Sequence, residues 1–155
     1  MDVSTALRCA MRRLASSVGV VVALGPDGAT GMAATSITSL ALDPPSLLVC
    51  VNQQASLHAC LSAGARFCVS LLGLDQRPVA DAFGGAVARK LRFTIGEWSK
   101  DAHGVPQLDG AQANLSCTVE QMVAYGTHSI VIGRVDEVRT CGEVTPLIYQ
   151  DGRYL

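Results

Sequence analysis

A small antiparallel barrel with flanking helices is predicted by three features of the chain. Six or seven short runs of β-branched and apolar residues recur along it, turn signals separate them at hairpin distances, and no long crossover helices stand between them. The last feature disfavours a parallel sheet. With 155 residues, 49% hydrophobic and 16% charged, the chain is expected to form one domain over 1–155. So apolar a composition in so small a protein also predicts an oligomer interface.

The elements follow in order. Val3, Ala6, Leu7, Ala10, Met11 and Leu14 form the stripe of an amphipathic helix, with Asp2 or Ser4 as its cap and an end near Ser16. Val18 to Leu24 reads as a strand, and Gly25-Pro-Asp-Gly28 turns it back as a hairpin. The central stretch runs from Gly31 to Asn52. Its first half is small and hydroxylated, its second half is an apolar strand, and Asp43-Pro44-Pro45 forces a corner between two extended segments. Gln53 to Leu61 suggests a short helix whose N-terminus offers a phosphate site; the alternative is a surface helix with no chemical role. Arg66 to Leu72 is a strand with Phe67, Val69 and Leu71 inward. Asp75 to Phe83 is helical and stops at Gly84-Gly85. Residues 86–109 lack a clear period and read as a functional loop. Leu115 to Gln121 and Ile130 to Val138 are strands joined through Gly126-Thr127-His128, and Pro146 to Tyr149 is a last short strand closing at Asp151-Gly152.

Composition excludes several functions. A net charge of −1 and the absence of any block of five like charges argue against a nucleic-acid partner. No apolar run is long enough to span a membrane, and Arg12 and Arg13 break up the early apolar stretch where a signal peptide would lie. The six cysteines form no C-x-x-C pair, and four lie inside apolar runs. That is the usage of reduced, packed thiols and predicts a cytoplasmic protein. There is no Walker A or G-x-G-x-x-G signature, no nucleophile–base–orienter grouping of His58, His103 or His128, and no metal-ligand spacing. An enzyme of this sequence is expected to borrow its reactive centre from an organic cofactor.

Six motifs in order, Gly31-Met-Ala-Ala-Thr-Ser-Ile-Thr-Ser39, Asp43-Pro-Pro-Ser-Leu-Leu-Val-Cys-Val-Asn52, Ser56-Leu-His58, Arg66-Phe-Cys-Val-Ser70, Gly126-Thr-His128 with Ile132-Gly-Arg-Val135, and Leu147-Ile-Tyr149 through Gly152-Arg-Tyr154, resemble the flavin reductase-like family. The resemblance is to reductase components of two-component flavin-dependent monooxygenases, such as those of 4-hydroxyphenylacetate hydroxylation. It implies a mainly β, FMN-binding split barrel with Greek-key connections and flanking helices, a homodimer, and reduction of FMN or FAD by NADH or NADPH. The reduced flavin passes to a partner monooxygenase. The alternative on the same fold is a flavin-binding electron-transfer protein without turnover. A pyridoxamine-phosphate-oxidase-like enzyme ranks last, because no added basic cluster for a second phosphate is visible.

The resemblance also implies site residues. Ala33, Ala34, Thr35 and Ser36 match the segment along the isoalloxazine ring, where backbone N–H groups meet the ring's N5 and O4 edge, with Ser39 just beyond. Val51, Asn52 and Gln53 match the segment by the ribityl chain and phosphate, and Ser56 matches a phosphate donor. Arg89 and Lys90 match a basic region by the phosphate, although Leu91 follows them where the family shows an acidic-basic-aromatic pattern; a solvated charge pair is the alternative. His128 matches a catalytic histidine near nicotinamide and flavin. Tyr154 covers either ring, or is frayed at the chain end.

Overall fold

The computed structural model describes residues 1–155. Its centre is a seven-stranded antiparallel sheet in the order β3-β2-β6-β9-β10-β5-β4, made of β2 (Gly19–Gly25), β3 (Gly28–Ala34), β4 (Ile37–Leu42), β5 (Pro45–Asn52), β6 (Arg66–Leu71), β9 (Ala113–Tyr125) and β10 (His128–Thr140). The edge strands β3 and β4 are consecutive in the chain, and only Thr35 and Ser36 separate them. Two residues cannot cross a flat sheet seven strands wide. The sheet therefore curls until its edges face each other, and they remain unpaired, so the barrel is split along the β3/β4 seam. The connection is Greek-key in kind: β6 returns beside β2 and skips the β3-β4-β5 excursion.

The predicted hairpins are present. Gly25 to Gly28 turns β2 into β3, and the Asp43-Pro44 corner is a tight hairpin in which β4 pairs directly with β5. Gly126-Thr127 joins two strands of thirteen residues, longer than the alternation predicts because the turn-side end of β9 and the far end of β10 are mostly exposed and lose the inward apolar signal. Side chains alternating along the strands fill the interior: Val21, Val49, Val51, Phe67, Val69 and Val131 are fully buried. Strand β2 is buried on both faces from Gly19 to Ala23, which explains its unbroken apolar run. The second face, with Val20 and Val22 of β2 and Cys68 of the neighbouring β6, carries a layer formed by Val79, Phe83, Leu108 and Leu147.

That outer layer corrects the reading of 86–109 as one loop. Residues Arg89–Thr94 form a 3-10 turn, and β7 (Trp98–Lys100) pairs with β8 (Pro106–Leu108). A buried network seats β8: Ser70 Oγ donates to Asn114 Oδ1 at 2.6 Å, Leu108 N donates to Ser70 Oγ at 3.2 Å, and Asn114 Nδ2 donates to Leu108 O at 2.9 Å. Phe83, Phe93 and Trp98 pack with ring centroids 5.0–5.3 Å apart. Helix α2 (Arg77–Asp81) runs into a π-turn, Ala82–Ala86, broken at Gly85, whose φ of +112° bears out the glycine stop. At the C-terminus β11 (Ile148–Gln150) pairs with β1 (Ser16–Ser17) and with β12 (Arg153–Tyr154). Tyr154 is thus held, its ring 5.3 Å from that of Tyr149.

Two further expectations change. The helix predicted over Gln53 to Leu61 is a single 3-10 turn, His58–Cys60, which Leu57 and Leu61 anchor in the barrel interior; a turn this short has no macrodipole to offer a phosphate. Helix α1 (Val3–Met11) forms and is capped by Asp2, whose Oδ1 accepts from Thr5 N at 2.8 Å, yet none of its residues is buried. Its stripe faces no core of its own chain. The thiols divide as well: Cys68 and Cys117 are buried, Cys50 and Cys60 half-buried, and Cys9 and Cys141 exposed. Burial pushes the Cys68 thiol up to about 12. No helix is long and apolar enough to cross a membrane.

Candidate functional site

Strand β3 borders the seam, and its backbone there is free to meet a ligand. Arg92 Nη1 donates to Gly31 O at 3.1 Å, so that carbonyl points away from β2. Backbone groups alternate along an antiparallel strand, and Ala29 and Ala33 therefore present theirs to the same open side. Gly31 also needs its missing side chain: a Cβ would lie 2.9 Å from Val21 O and 3.1 Å from Phe83.

Beside the start of β3 lies a cleft of about 460 Å³ whose lining includes Thr30, Ser56, Arg89, Lys90 and Arg92. Thr30 Oγ1 and Ser56 Oγ are 3.0 Å apart, two hydroxyls facing one space from sequence positions far from each other. Arg89 and Arg92 are three residues apart in a 3-10 turn, where such side chains eclipse, so both serve one face. None of the three cations has a carboxylate partner. Arg92 is fixed by a second bond, Nε to Val87 O at 3.2 Å. Two hydroxyls and three unpaired cations in a cleft are the donor set of an anion site, and phosphate fits it.

The remaining expected site residues fall in two other places. Thr35, Ser36 and Ser39 line a groove of about 780 Å³ with mostly apolar walls, among them Ile37, Leu71, Leu115 and Val135. Thr35 is exposed, but Ser36 is engaged: its Oγ donates to Cys50 O at 3.0 Å and accepts from Cys50 N at 3.3 Å, stitching the seam to β5. Ala33 and Tyr154 pack on the same outer cluster, whereas the Ala34 side chain is buried in the barrel. Val51 is fully buried there too, its strand paired with β10 at Ser129, so it offers no open surface to a ligand. Asn52 Oδ1 accepts from Gln54 N, and Gln53 Nε2 donates to His128 O. His128 pairs with Asn52 across β5 and β10, is exposed, and lies 2.8 Å from the Thr127 hydroxyl through Nδ1. It lines neither the cleft nor the groove. Thr30 and Arg92 are site residues the motifs missed; the three-residue spacing from Arg89 was the available signal for Arg92, while Thr30 carried none.

The model of the flavin reductase like domain matches residues 11–155. The chain belongs to the flavin reductase like domain family. Within it, the chain is 36% identical over 154 residues to the FMN reductase (NADH) RutF of Cronobacter sakazakii, covering 99% of this chain and 93% of that one. It is 38% identical over 149 residues to the reductase component of the FADH(2)-dependent resorcinol hydroxylase of Rhizobium sp., covering 95% and 83%. Among solved structures, the NADH:FAD oxidoreductase SgcE6 of Streptomyces globisporus, in complex with NAD and FAD fragments, superposes with a TM-score of 0.90 at 29% identity over 99% and 92% of the two chains. The flavin that defines this family fits the geometry described: an anion cleft at one end of β3, an open backbone edge along it, and a groove with apolar walls at the other end.

Proposed function

We propose that the chain is an NADH-dependent flavin reductase that hands reduced FMN or FAD to a partner monooxygenase. The observation that carries this reading is the cleft of Thr30, Ser56, Arg89, Lys90 and Arg92, set at the start of a seam strand with free backbone groups. Bound along that strand, the flavin supplies the hydride acceptor, and NADH supplies the hydride. The chain's residues would position and bind the flavin: Arg92 and Ser56 would hold the phosphate, the Ala33 backbone would offer hydrogen bonds to the ring, and the apolar walls by Thr35 would exclude water. His128 serves the nicotinamide side, reached at the β5/β10 end, and no protein acid or base is needed for the hydride itself.

The assembly is proposed to be a homodimer. Val3, Leu7, Met11 and Leu14 of the first helix and its exit are 84%, 59%, 53% and 57% exposed, and Leu42 at the β4–β5 hairpin is 89% exposed. A second copy covers these surfaces in the proposed dimer. With no paired cysteine in the fold, we place the protein in the cytoplasm.

Flavin titration and NADH oxidation test the reading. Wild-type protein oxidises NADH when FMN or FAD is present. Arg92→Ala loses about tenfold in FMN affinity, one charge-assisted contact, but keeps its affinity for riboflavin, which lacks the phosphate. His128→Ala retains flavin binding and slows reduction. Absence of NADH turnover with any flavin overturns the proposal.

A further inference from the structure

Of the twelve cationic side chains, Arg12, Arg66, Arg77, Arg134 and Arg139 each lie within 4.0 Å of a carboxylate. The others are unpaired, and apart from Lys100 they gather in two places. One is the cleft of Arg89, Lys90 and Arg92. The second is where the C-terminal end of α1 meets the β11–β12 hairpin: Arg13 and Arg153 share one space there, and Arg8 lines the neighbouring one.

This second place is built. Asp151 N donates to Arg12 O at 3.0 Å, and Gln150 Nε2 donates to Arg13 O at 3.3 Å. Arg12 reaches back with Nε to Asp151 Oδ1 at 3.0 Å and Nη2 to Asp151 O at 3.1 Å. Asp151 is held at a φ of +52°, the one residue other than glycine with a positive φ, and a Cβ on Gly152 would lie 2.8 Å from Arg12 Nη2. Arg12 thereby neutralises the only acid of the cleft and ties the helix to the hairpin, leaving its neighbours' charges uncompensated. Arg13 and Arg153 line a space of about 690 Å³. A second space of about 360 Å³, lined by Arg8 and Thr35, shares Arg12, Gln150 and Asp151 with it as common walls. Thr35 also lines the groove of the ribbon. The arginine-lined space thus lies next to one that reaches Thr35, at the far end of the strand that starts at the first cleft.

We propose that Arg13 and Arg153 bind the diphosphate of the nicotinamide dinucleotide, with Arg8 lining the space between them and Thr35. The inference rests on the flavin reductase reading. Thr30 in the first cleft and Thr35 in the second are five residues apart along extended chain, about 17 Å, which leaves the length of the strand between them for the flavin ring and ribityl chain. A dinucleotide stacked on that ring would extend its phosphates away from the flavin's own, toward the arginines. The diphosphate of FAD, by contrast, continues from the ribityl end and belongs near Arg92. Guanidinium groups suit the ligand because they pair with phosphate oxygens in a bidentate manner.

The test compares wild type, Arg13→Ala/Arg153→Ala, Arg13→Lys/Arg153→Lys and, as a control for charge loss elsewhere, Arg139→Ala. Expected for the double alanine variant is a KM for NADH raised about tenfold, with kcat and the dissociation constant for FMN unchanged. The rise of KM with salt, steep in wild type, flattens in the variant, and the lysine pair recovers part of the loss. Calorimetric titration with inorganic pyrophosphate reads the site without turnover: wild type and Arg139→Ala bind, and the double alanine variant binds about tenfold more weakly. An unchanged KM and unchanged pyrophosphate binding in a variant whose circular dichroism matches wild type overturns the inference, as does a loss of FMN affinity in place of NADH affinity. Failure of wild type to oxidise NADH with any flavin, while pyrophosphate still binds through these arginines, overturns the reductase reading instead.

Discussion

Gly133 sits in β10 with no room for a side chain: an added Cβ would collide with the Phe67 ring, itself fully buried in the barrel. The ring fills the space that the glycine vacates, between β6 and a register shift at Ile132/Gly133. Gly133→Ala should overpack the interior and cost about 1–3 kcal/mol, read as a lower urea midpoint at unchanged slope. A midpoint equal to wild type would mean the ring is free to move. Ser36 makes a similar point with opposite sign. Its hydroxyl is consumed by Cys50, so bulky replacement there alters the seam as well as any ligand contact, and Thr35 is the side chain left open at the ribbon.

At the scale of elements, β9 and β10 form the longest ladder, and their exposed face carries a charged network. Asp136 accepts from the Thr118 hydroxyl and from Arg134 Nε at 2.9 Å, Arg134 also reaches Glu120, and Arg66 approaches Asp136 at 3.9 Å. The network lies at a register shift between Val135 and Glu137, where the ladder is interrupted and side chains take over the link between strands. Burial pushes the Asp136 carboxyl up, but the Thr118 and Arg134 hydrogen bonds outweigh it and hold the group below its usual 3.8. A lowered folded pKa contributes stability above the unfolded value and loses it as the pH falls through the folded one. Asp136→Asn should therefore lower the urea midpoint at neutral pH, by about 1 kcal/mol or less because the site is partly solvated. The difference from wild type should shrink as the pH drops below 3.8. A difference independent of pH would assign the loss to the hydroxyl contact alone.

For the whole molecule, the seam is an opening that folding leaves between β3 and β4, and the proposed flavin would fill it. A sheet that closed fully would have no free β3 edge, and one that did not curl would hold Thr30 and Ser56 far apart. Flavin bound there stabilises only the folded state. FMN at a hundred times its dissociation constant should add about 2.7 kcal/mol, raising the unfolding temperature of a protein this size by roughly 5–10 °C. Scanning calorimetry with and without FMN measures it; no shift at that concentration would contradict binding to the native seam.

The sequence by itself determined the antiparallel strands, their hairpin order and the central ribbon. Those depend on local signals: alternation of Leu47, Val49 and Val51, the Gly25–Gly28 turn, the Asp43-Pro44-Pro45 corner. It also carried enough motifs in order to identify the family. Only the tertiary structure decided which of those residues meet. Thr30 and Ser56 face each other because β3 and the segment after β5 converge at one end of a curled sheet, and Arg13 and Arg153 share a cleft although nearly the whole chain separates them. Pattern along a chain reports burial against one's own core. For that reason it placed a helix at Val3–Met11 without revealing that its apolar stripe stays uncovered, and it saw lone arginines where the fold assembles two groups of unpaired charge.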